Sequence, residues 1–316
     1  MTAPCALSFV IPVYNGAATI GPLVEALDAL EVEGGKEIIL VDDGSADDSA
    51  AVCEALAREQ RSTPVRAVLH SRNYGEHNAV LTGLRQTRGD AVVTMDDDLQ
   101  NPPEEALNLY RALTDRDLDV VYGTFAEKKQ HSLFRNLGSR LANLTADLVL
   151  DKPKGLYLSS FRCIRGDIAR TLAAYDGPYP YVDGLVFQYT KRVEGIEVAH
   201  LPRKEGVSNY TLRRLVRLWL IVLMNFSTLP LRVSALLGLG MSGFGFLGLL
   251  LVLGEYFLFG VPVSGWTSIM SVALLFFGMQ MIILGLIGEY LGRVYLTVSG
   301  RPQSNVRRAI DRRDDA

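Results

Sequence analysis

Three consecutive carboxylates lie in the stretch VVTMDDDLQNPPE, where they follow an apolar run and precede a proline-stopped turn. Asp96, Asp97 and Asp98 carry like charges so close together that they repel one another, unless a cation compensates. Mg²⁺ and Mn²⁺ favour carboxylate oxygens, and Gln100 could add a neutral oxygen. The alternative is an acidic strand-to-helix turn in which one aspartate caps the next helix.

A second acidic stretch, EIILVDDGSADD, repeats this arrangement. Asp42 and Asp43 end another apolar run, and a glycine and a serine form a turn directly after them. Their carboxylates could accept hydrogen bonds from a ribose or a base imide, or serve as helix caps. An earlier run, VIPVYNG, contains Pro12 and Tyr14, which could form an apolar wall for a flat base.

The elements that position these residues are predicted from an alternation of β-branched runs with helical patterns. The predicted strands are ALSFVIPV, KEIILVD, VRAVLH, DAVVTMD and LDVVYG. Such alternation predicts a parallel α/β sheet, in which ligands bind beyond the carboxyl ends of the strands. We therefore expect the acidic strand ends to meet in one crevice.

The last third of the chain is far more apolar. Two segments, 232–258 and 266–291, exceed the approximately 20 residues needed to cross a bilayer. Basic residues stand before and after the pair but not in its linker, which predicts a hairpin with both ends in the cytoplasm. Residues 206–230 carry arginines in an apolar run, which predicts an amphipathic interfacial helix, or else a buried helix of the soluble domain. Residues 293–316 are predicted to form a basic cytoplasmic tail.

Composition excludes some classes of function. The net charge of -3 and the lack of a basic motif argue against nucleic acid as a partner. The three cysteines are far apart and form no C-x-x-C pattern, so neither disulfides nor a zinc site are expected. The first residues lack the features of a signal peptide, so we expect this domain to stay in the cytoplasm.

Seven segments resemble those of family 2 glycosyltransferases with the Rossmann-like GT-A fold: FVIPVYNG, ILVDDGSADD, SRNYGEHNAVLTGL, GDAVVTMDDDLQNPPEE, RKEGVSNY, STLPLRV and LIGEYLGRVY. They are most similar to the polyprenyl-phosphate branch, with its dolichyl-phosphate mannose synthases, prophage glucosyl carriers and lipid A aminoarabinose carrier transferases. The resemblance implies a GT-A catalytic domain over residues 1–205, a C-terminal transmembrane hairpin and a Mg²⁺ or Mn²⁺ cofactor.

The activity implied by the resemblance is inverting transfer of a sugar from a nucleoside diphosphate, UDP in the nearest relatives, to undecaprenyl phosphate. The reaction would occur at the cytoplasmic face of the inner membrane and serve modification of cell-envelope glycans. A homo-oligomer such as a tetramer is also implied, and the glycine-rich spans permit it without requiring it.

The resemblance assigns roles to individual residues. The implied metal ligands are Asp96, Asp98 and Gln100. The implied nucleotide contacts are Pro12, Tyr14, Asp42, Asp43, Arg72, Asn73 and Asp96. The residues implied to meet the lipid phosphate are Arg135, Arg140, Arg203 and Ser208. The predicted catalytic residues are Asp96, Asp98, Arg203 and Asp183, the last of which could orient a sugar hydroxyl or instead serve a turn or cap.

The sequence departs from the family pattern in two places. Asp97 stands where relatives usually have a small residue, and no aspartate occurs in LYLSSFR, where several relatives have one. A phosphate nucleophile has a second pKa of about 6, so it needs no strong general base at pH 7.

Two other functions are compatible with parts of the sequence. A processive polysaccharide synthase shares the acidic motifs, but it usually carries a Q-x-x-R-W motif, which does not occur here. A membrane protein that binds a nucleotide sugar without catalysis would not need the acidic triad.

Overall fold

In this computed structural model the described residues are 5–125, 152–153, 155–199, 201, 229–259, 265–300 and 302–311. The chain divides into two compact units, of which the first combines Met1–Leu215 with Pro302–Ala316 and the second is Val216–Arg301. The predicted interfacial helix lies outside the described residues, except for its last two positions.

The described residues of the first unit form an eight-stranded mixed sheet in the order β7-β5-β6-β4-β1-β2-β3-β8. Its strands are β1 (Leu7–Val13), β2 (Lys36–Asp42), β3 (Val65–His70), β4 (Ala91–Thr94), β5 (Val120–Thr124), β6 (Arg162–Arg165), β7 (Val193–Glu197) and β8 (Val306–Asp311). Strands β3, β2, β1 and β4 are parallel, whereas β6 and β8 run antiparallel to their neighbours. The predicted Rossmann-like α/β architecture is confirmed, and the antiparallel strands are an addition to it.

Six helices of this unit are described: α1 (Ile20–Asp28), α2 (Ser49–Arg58), α3 (Glu76–Leu84), α4 (Pro103–Asp115), α5 (Gly166–Ala173) and α6 (Val182–Tyr189). The parallel strands are almost wholly buried, as expected where helices cover both faces of a sheet. Helix α4 begins directly after the acidic stretch because a proline starts its first turn and two glutamates complement its positive end.

The register of the strands brings the acidic residues to one edge. Val13, the last residue of β1, lies opposite Asp42, the last residue of β2. Val10 of β1 lies opposite Thr94, the last residue of β4. The segments that follow these three strands therefore leave the sheet at the same edge, as predicted.

The segment 293–316 differs from the predicted basic tail. Its first residues continue a helix to Val298, and Val306–Asp311 adds β8 to the sheet. Only Ile310 of this strand is buried, and its other side chains are polar or exposed. The sequence pattern did not predict β8, because a charged strand at a sheet edge lacks the apolar run by which buried strands are recognised.

The second unit contains helices α7 (Leu229–Phe259) and α8 (Trp266–Val298), which cover the two predicted spans. Their most apolar stretches, Leu229–Gly248 and Leu275–Val298, are long enough to cross a membrane. Many of their large apolar side chains are exposed, as for Phe244 at 81%. Apolar surface of this extent is typical of contact with lipid, so the unit is suited to membrane association.

Candidate functional site

The acidic turn after β4 contains the three carboxylates of the D-D-D run. Ser160 donates a hydrogen bond from its hydroxyl to Oδ2 of Asp96 at 2.6 Å. Asp98 accepts the backbone N–H of Gln100 through Oδ1 at 3.1 Å. Between them, Leu99 has a φ of 58°, a left-handed conformation that is uncommon for a residue with a side chain. The turn therefore has a constrained backbone that its neighbours hold in place.

The middle carboxylate, Asp97, supports the loop after β1. It accepts a hydrogen bond from the backbone N–H of Tyr14. A β-carbon added at Gly16 would overlap Oδ2 of Asp97, so one of the two groups would have to shift. Burial, reinforced by the charges of Asp96 and Asp98, raises the pKa of Asp97 to about 7. Asp97 thus joins the acidic turn to the segment that carries Tyr14.

The loop after β1 is also joined to the turn after β2. The backbone N–H of Asn15 donates to the Ser45 hydroxyl at 3.0 Å, and Oδ1 of Asn15 accepts the backbone N–H of Ala46 at 2.9 Å. Tyr14, beside them, is 52% exposed, and Pro12 is half-buried within β1. The structure therefore places both residues of the predicted apolar wall at the expected edge.

Asp42 ends β2 with one carboxylate oxygen engaged. Its Oδ2 accepts the backbone N–H of Ser45 at 3.4 Å. Its Oδ1 is buried and has no hydrogen-bond partner in the part of the chain that the structure describes. A buried acceptor without a partner costs free energy, so this oxygen is suited to a donor that a ligand brings.

Asp43, for which the resemblance implies a nucleotide contact, supports the loop after β3. Its side chain is buried, and its Oδ1 accepts the backbone N–H of Tyr74 at 2.9 Å. The other oxygen accepts the backbone N–H of Gly75 at 2.7 Å, and His70 Nδ1 lies 2.8 Å from Oδ1. The carboxylate therefore holds the loop after β3 from inside the protein.

That loop, residues 71–75, presents Arg72 and Asn73 to solvent. The guanidinium of Arg72 lies 4.8 Å from the centre of the Tyr74 ring, within the range of a cation–π contact. The loop also packs against Gly44, where a β-carbon would overlap the backbone of Arg72. The predicted residues of this loop are thus brought beside the turn that follows β2.

Asp183 lies in a buried ion pair, which favours the structural alternative over a sugar contact. Arg162, 1% exposed, pairs with Oδ1 of Asp183, and the Tyr122 hydroxyl donates to the same oxygen at 2.8 Å. Burial, followed by the nearby Asp183 charge, raises the pKa of Tyr122 well above its usual range. Arg162 also donates from Nε to the Thr94 hydroxyl at 3.1 Å, which links the pair to the strand before the acidic turn.

The predicted metal ligands fit a hard divalent cation in their chemistry. Asp96, Asp98 and Gln100 supply only oxygen atoms, the ligands that Mg²⁺ and Mn²⁺ prefer. Within the described ranges, no group of three histidine, cysteine or acidic side chains is arranged to hold a metal by itself. Mg²⁺ is commonly held by one or two carboxylates together with substrate phosphates and water. The donor set of these three residues therefore fits a hard divalent cation.

The residues implied to meet the lipid phosphate are Arg135, Arg140, Arg203 and Ser208, and all four lie outside the described residues. Their roles stay predictions.

Sequence reasoning missed two residues that support the site, Ser160 and His70. Ser160 belongs to the S-S-F-R run, where relatives differ from this chain, and that difference could have drawn attention to it. His70 ends β3 in the same way that Asp42 ends β2, so its strand-end position was the available signal.

The family model for glycosyl transferase family 2 matches residues 8–172 of the chain. The chain is similar to an undecaprenyl-phosphate 4-deoxy-4-formamido-L-arabinose transferase of Pseudomonas fluorescens, with 36% identity over 96% of this chain and 90% of the relative. It is also similar to the protein of the same name from Serratia proteamaculans, with 36% identity over 96% of this chain and 94% of the relative.

Among solved structures, the chain resembles glucosyl-3-phosphoglycerate synthase from Mycobacterium tuberculosis, in complex with Mn²⁺, UDP-glucose and phosphoglyceric acid. The TM-score is 0.52 at 19% identity, over 70% of this chain and 78% of that one. This likeness shows the shared GT-A fold. The family match and the relatives above 30% identity show that the chain belongs to glycosyl transferase family 2.

Proposed function

We propose that this glycosyltransferase moves a sugar from a UDP-linked donor to undecaprenyl phosphate in a metal-dependent reaction. The observation that carries the proposal is the similarity over 96% of the chain to transferases named for undecaprenyl phosphate. That similarity extends beyond the catalytic domain into the two apolar helices. A lipid acceptor would require an enzyme that stays at the bilayer, which α7 and α8 are suited to provide.

The strand-end residues support a nucleotide donor. Tyr14 is exposed at the edge where a flat base could lie against it, and Oδ1 of Asp42, which has no partner among the described residues, could accept the base imide. Arg72 and Asn73 stand next to this position on the loop after β3. A GT-A enzyme of the same fold was solved with UDP-glucose, which is compatible with this arrangement.

The chemistry that the site must perform follows from charge. The leaving diphosphate gains negative charge as the glycosidic bond breaks, and fixed positive charge at that point lowers the barrier. A divalent cation held by Asp96, Asp98 and Gln100 would supply this charge. Ser160, through its hydrogen bond, keeps the Asp96 carboxylate oriented for that role.

The acceptor phosphate is itself anionic, so it must be drawn toward an acidic site. We assign this task to Arg135, Arg140, Arg203 and Ser208. Because the phosphate is already largely ionised at pH 7, with a second pKa of about 6, it can attack the anomeric carbon without a strong base. A single displacement of this kind inverts the configuration at that carbon.

The proposed setting is the inner membrane, crossed twice, with the catalytic unit in the cytoplasm. The distribution of basic residues before α7 and after α8 supports this orientation. The proposal includes self-association, for example as a tetramer, only because the family resemblance implies it.

A panel of donors tests the proposal. Membranes that contain the protein are incubated with undecaprenyl phosphate, Mn²⁺ or Mg²⁺ and radiolabelled nucleotide sugars, UDP-4-deoxy-4-formamido-L-arabinose among them, and lipids are then extracted. We expect one UDP-sugar to label the lipid fraction, and EDTA to prevent it. Binding of donors without any lipid product would contradict the proposal and favour a non-catalytic role.

A further inference from the structure

The segment after α8 returns to the first unit and contacts the loop after β3. The backbone N–H of Ser71 donates to the carbonyl of Asn305 at 3.0 Å, and the Asn305 side chain donates to the Ser71 hydroxyl at 3.4 Å. The ladder between β3 and β8 ends with His70 opposite Val306, after a shift of register. The returning segment therefore reaches the base of the loop that carries Arg72.

Four side chains form a line of contacts that begins at Ser304 in this segment and ends at the buried carboxylate of Asp43 behind the loop. Ser304 and Thr82 place their hydroxyl oxygens 3.1 Å apart, and Thr82 Oγ1 lies 3.0 Å from His70 Nε2. His70 Nδ1 lies 2.8 Å from Asp43 Oδ1. Since a carboxylate only accepts hydrogen bonds, Nδ1 carries a proton. In the neutral ring, Nε2 then accepts from Thr82, and Thr82 accepts from Ser304.

Asp43 connects this line to the backbone of the loop. Its two oxygens accept the N–H groups of Tyr74 and Gly75, and its side chain is buried. Gly75 has a φ of 96°, which glycine adopts readily and residues with side chains rarely do. The orientation of the Asp43 carboxylate therefore fixes the position of Arg72 and Asn73.

The returning segment has a separate anchor on the side away from β8. Gln303 donates from Nε2 to the carbonyl of Gly177 at 2.5 Å. Arg85 donates to Oε1 of the same glutamine at 3.3 Å. Residues on both sides of Ser304 are thus tied to the first unit, which holds its hydroxyl next to Thr82.

We propose that Ser304, Thr82 and His70 are positioning residues for the nucleotide donor, because they fix Asp43 and, through it, the loop of residues 71–75. The chain beyond the second apolar helix is then a working part of the donor site rather than a tail. This inference rests on the proposed function, since it takes that loop to contact the donor.

Nucleotide binding to the purified full-length protein tests the inference. Binding of UDP, GDP, CDP and dTDP is measured by calorimetry with Mn²⁺ present, and the variants are compared on the nucleotide that the wild type binds best. We expect Ser304→Ala to weaken binding about fivefold, which is the value of one ordinary hydrogen bond. Ser304→Thr keeps the hydroxyl and should restore most of the affinity.

Arg308→Ala is the matched control in the same returning segment, four residues further on and within β8. Arg308 is exposed and reaches Glu54 at 3.3 Å, away from the line of hydrogen bonds. Its replacement should leave nucleotide affinity unchanged. Equal weakening by Arg308→Ala and Ser304→Ala would show that β8 acts only as a structural strand, and would overturn the inference.

A second measurement separates positioning from general stability. Hydrogen exchange at the amides of Tyr74 and Gly75 should be faster in Ser304→Ala, while the thermal midpoint and the kcat at saturating donor stay at wild-type values. If Ser304→Ala kept the wild-type nucleotide affinity and the wild-type exchange rates, this inference would be overturned and the proposed function would stand. If the wild type bound none of the four nucleotides, the proposed function would fail first and the inference with it.

Discussion

Neighbouring aspartates at the strand ends differ in which of their oxygens are engaged inside the protein. Asp42 retains a buried oxygen without a partner among the described residues, whereas Asp43 is occupied by the backbone of the next loop. Asp97 supports a loop through Tyr14, but its Oδ2, like Oδ1 of Asp42, is buried without a partner among the described residues. At the scale of single residues, the acidic motifs therefore combine the predicted ligand contacts with side chains that support the neighbouring loops.

The division of roles within the D-D-D run predicts different responses to metal. Asp98→Ala should lower kcat/KM about a hundredfold or more. The change removes a ligand of the proposed cation, and it is this cation that would stabilise the negative charge of the leaving diphosphate. Asp97→Ala should cost less than about tenfold, since it removes one hydrogen bond to a loop. Initial rates measured against Mn²⁺ concentration check this. A rise in the half-saturating Mn²⁺ concentration that is as large for Asp97→Ala as for Asp98→Ala would show that the metal assignment is wrong.

The contact between Asp97 and Gly16 predicts a coupled pair of mutations. Gly16→Ala should weaken nucleotide binding, because its β-carbon would collide with the Asp97 carboxylate and displace the loop. In the double variant Gly16→Ala/Asp97→Ala the collision is gone, so nucleotide affinity should exceed that of Gly16→Ala alone. Calorimetric titration of the four proteins gives the coupling free energy. Additive effects would mean that the two residues do not act on each other.

At the scale of the elements, β5, β6 and α6 are joined by the buried group of Tyr122, Arg162 and Asp183. Loss of one partner from a buried ion pair leaves a charge without compensation. The first expected effect of losing this pair is on stability, and the pair is also linked to the acidic turn through Thr94.

Asp183→Ala should therefore lower the free energy of unfolding by about 3–5 kcal/mol. The double variant Arg162→Met/Asp183→Leu should recover most of that loss, because it removes both charges together. Thermal unfolding of the full-length protein provides the comparison. A stable Asp183→Ala protein with a raised KM for the donor would instead support the predicted contact with a sugar hydroxyl.

Local patterns were enough to predict β1 to β5 and the edge at which their acidic residues meet, because buried parallel strands form continuous apolar runs. They did not reveal β8, since VRRAID is short and polar, and its pairing partner β3 lies far away in the sequence. The sequence also did not predict that Asp43 supports the loop after β3. Its partners follow β3, and only the folded chain shows that its oxygens are already engaged.

At the scale of the whole molecule, a catalytic unit and a pair of long apolar helices belong to one chain, and that chain passes from the first unit to the second and back. The relatives are similar over 96% of this chain. A membrane unit within the chain is what a lipid acceptor would require, because the reacting phosphate stays at the bilayer surface while the donor is soluble.

The proposed topology makes a prediction for the segment between α7 and α8. A reporter inserted after Pro262 should be active outside the cytoplasm, and one fused after Ala316 should be active inside it, because the basic residues flank the pair of helices. Alkaline phosphatase and green fluorescent protein fusions make the comparison. Cytoplasmic signals at both positions would rule out the hairpin.

The most direct measurement of the central claim is the fate of the sugar in proteoliposomes that contain only the purified protein, undecaprenyl phosphate and Mn²⁺. With the donor selected by the panel, mass spectrometry should detect one undecaprenyl-phosphoryl sugar for each UDP released, and Asp98→Ala should yield neither product. Release of UDP with the sugar free in water, or a sugar joined to an acceptor other than the lipid phosphate, would contradict the account.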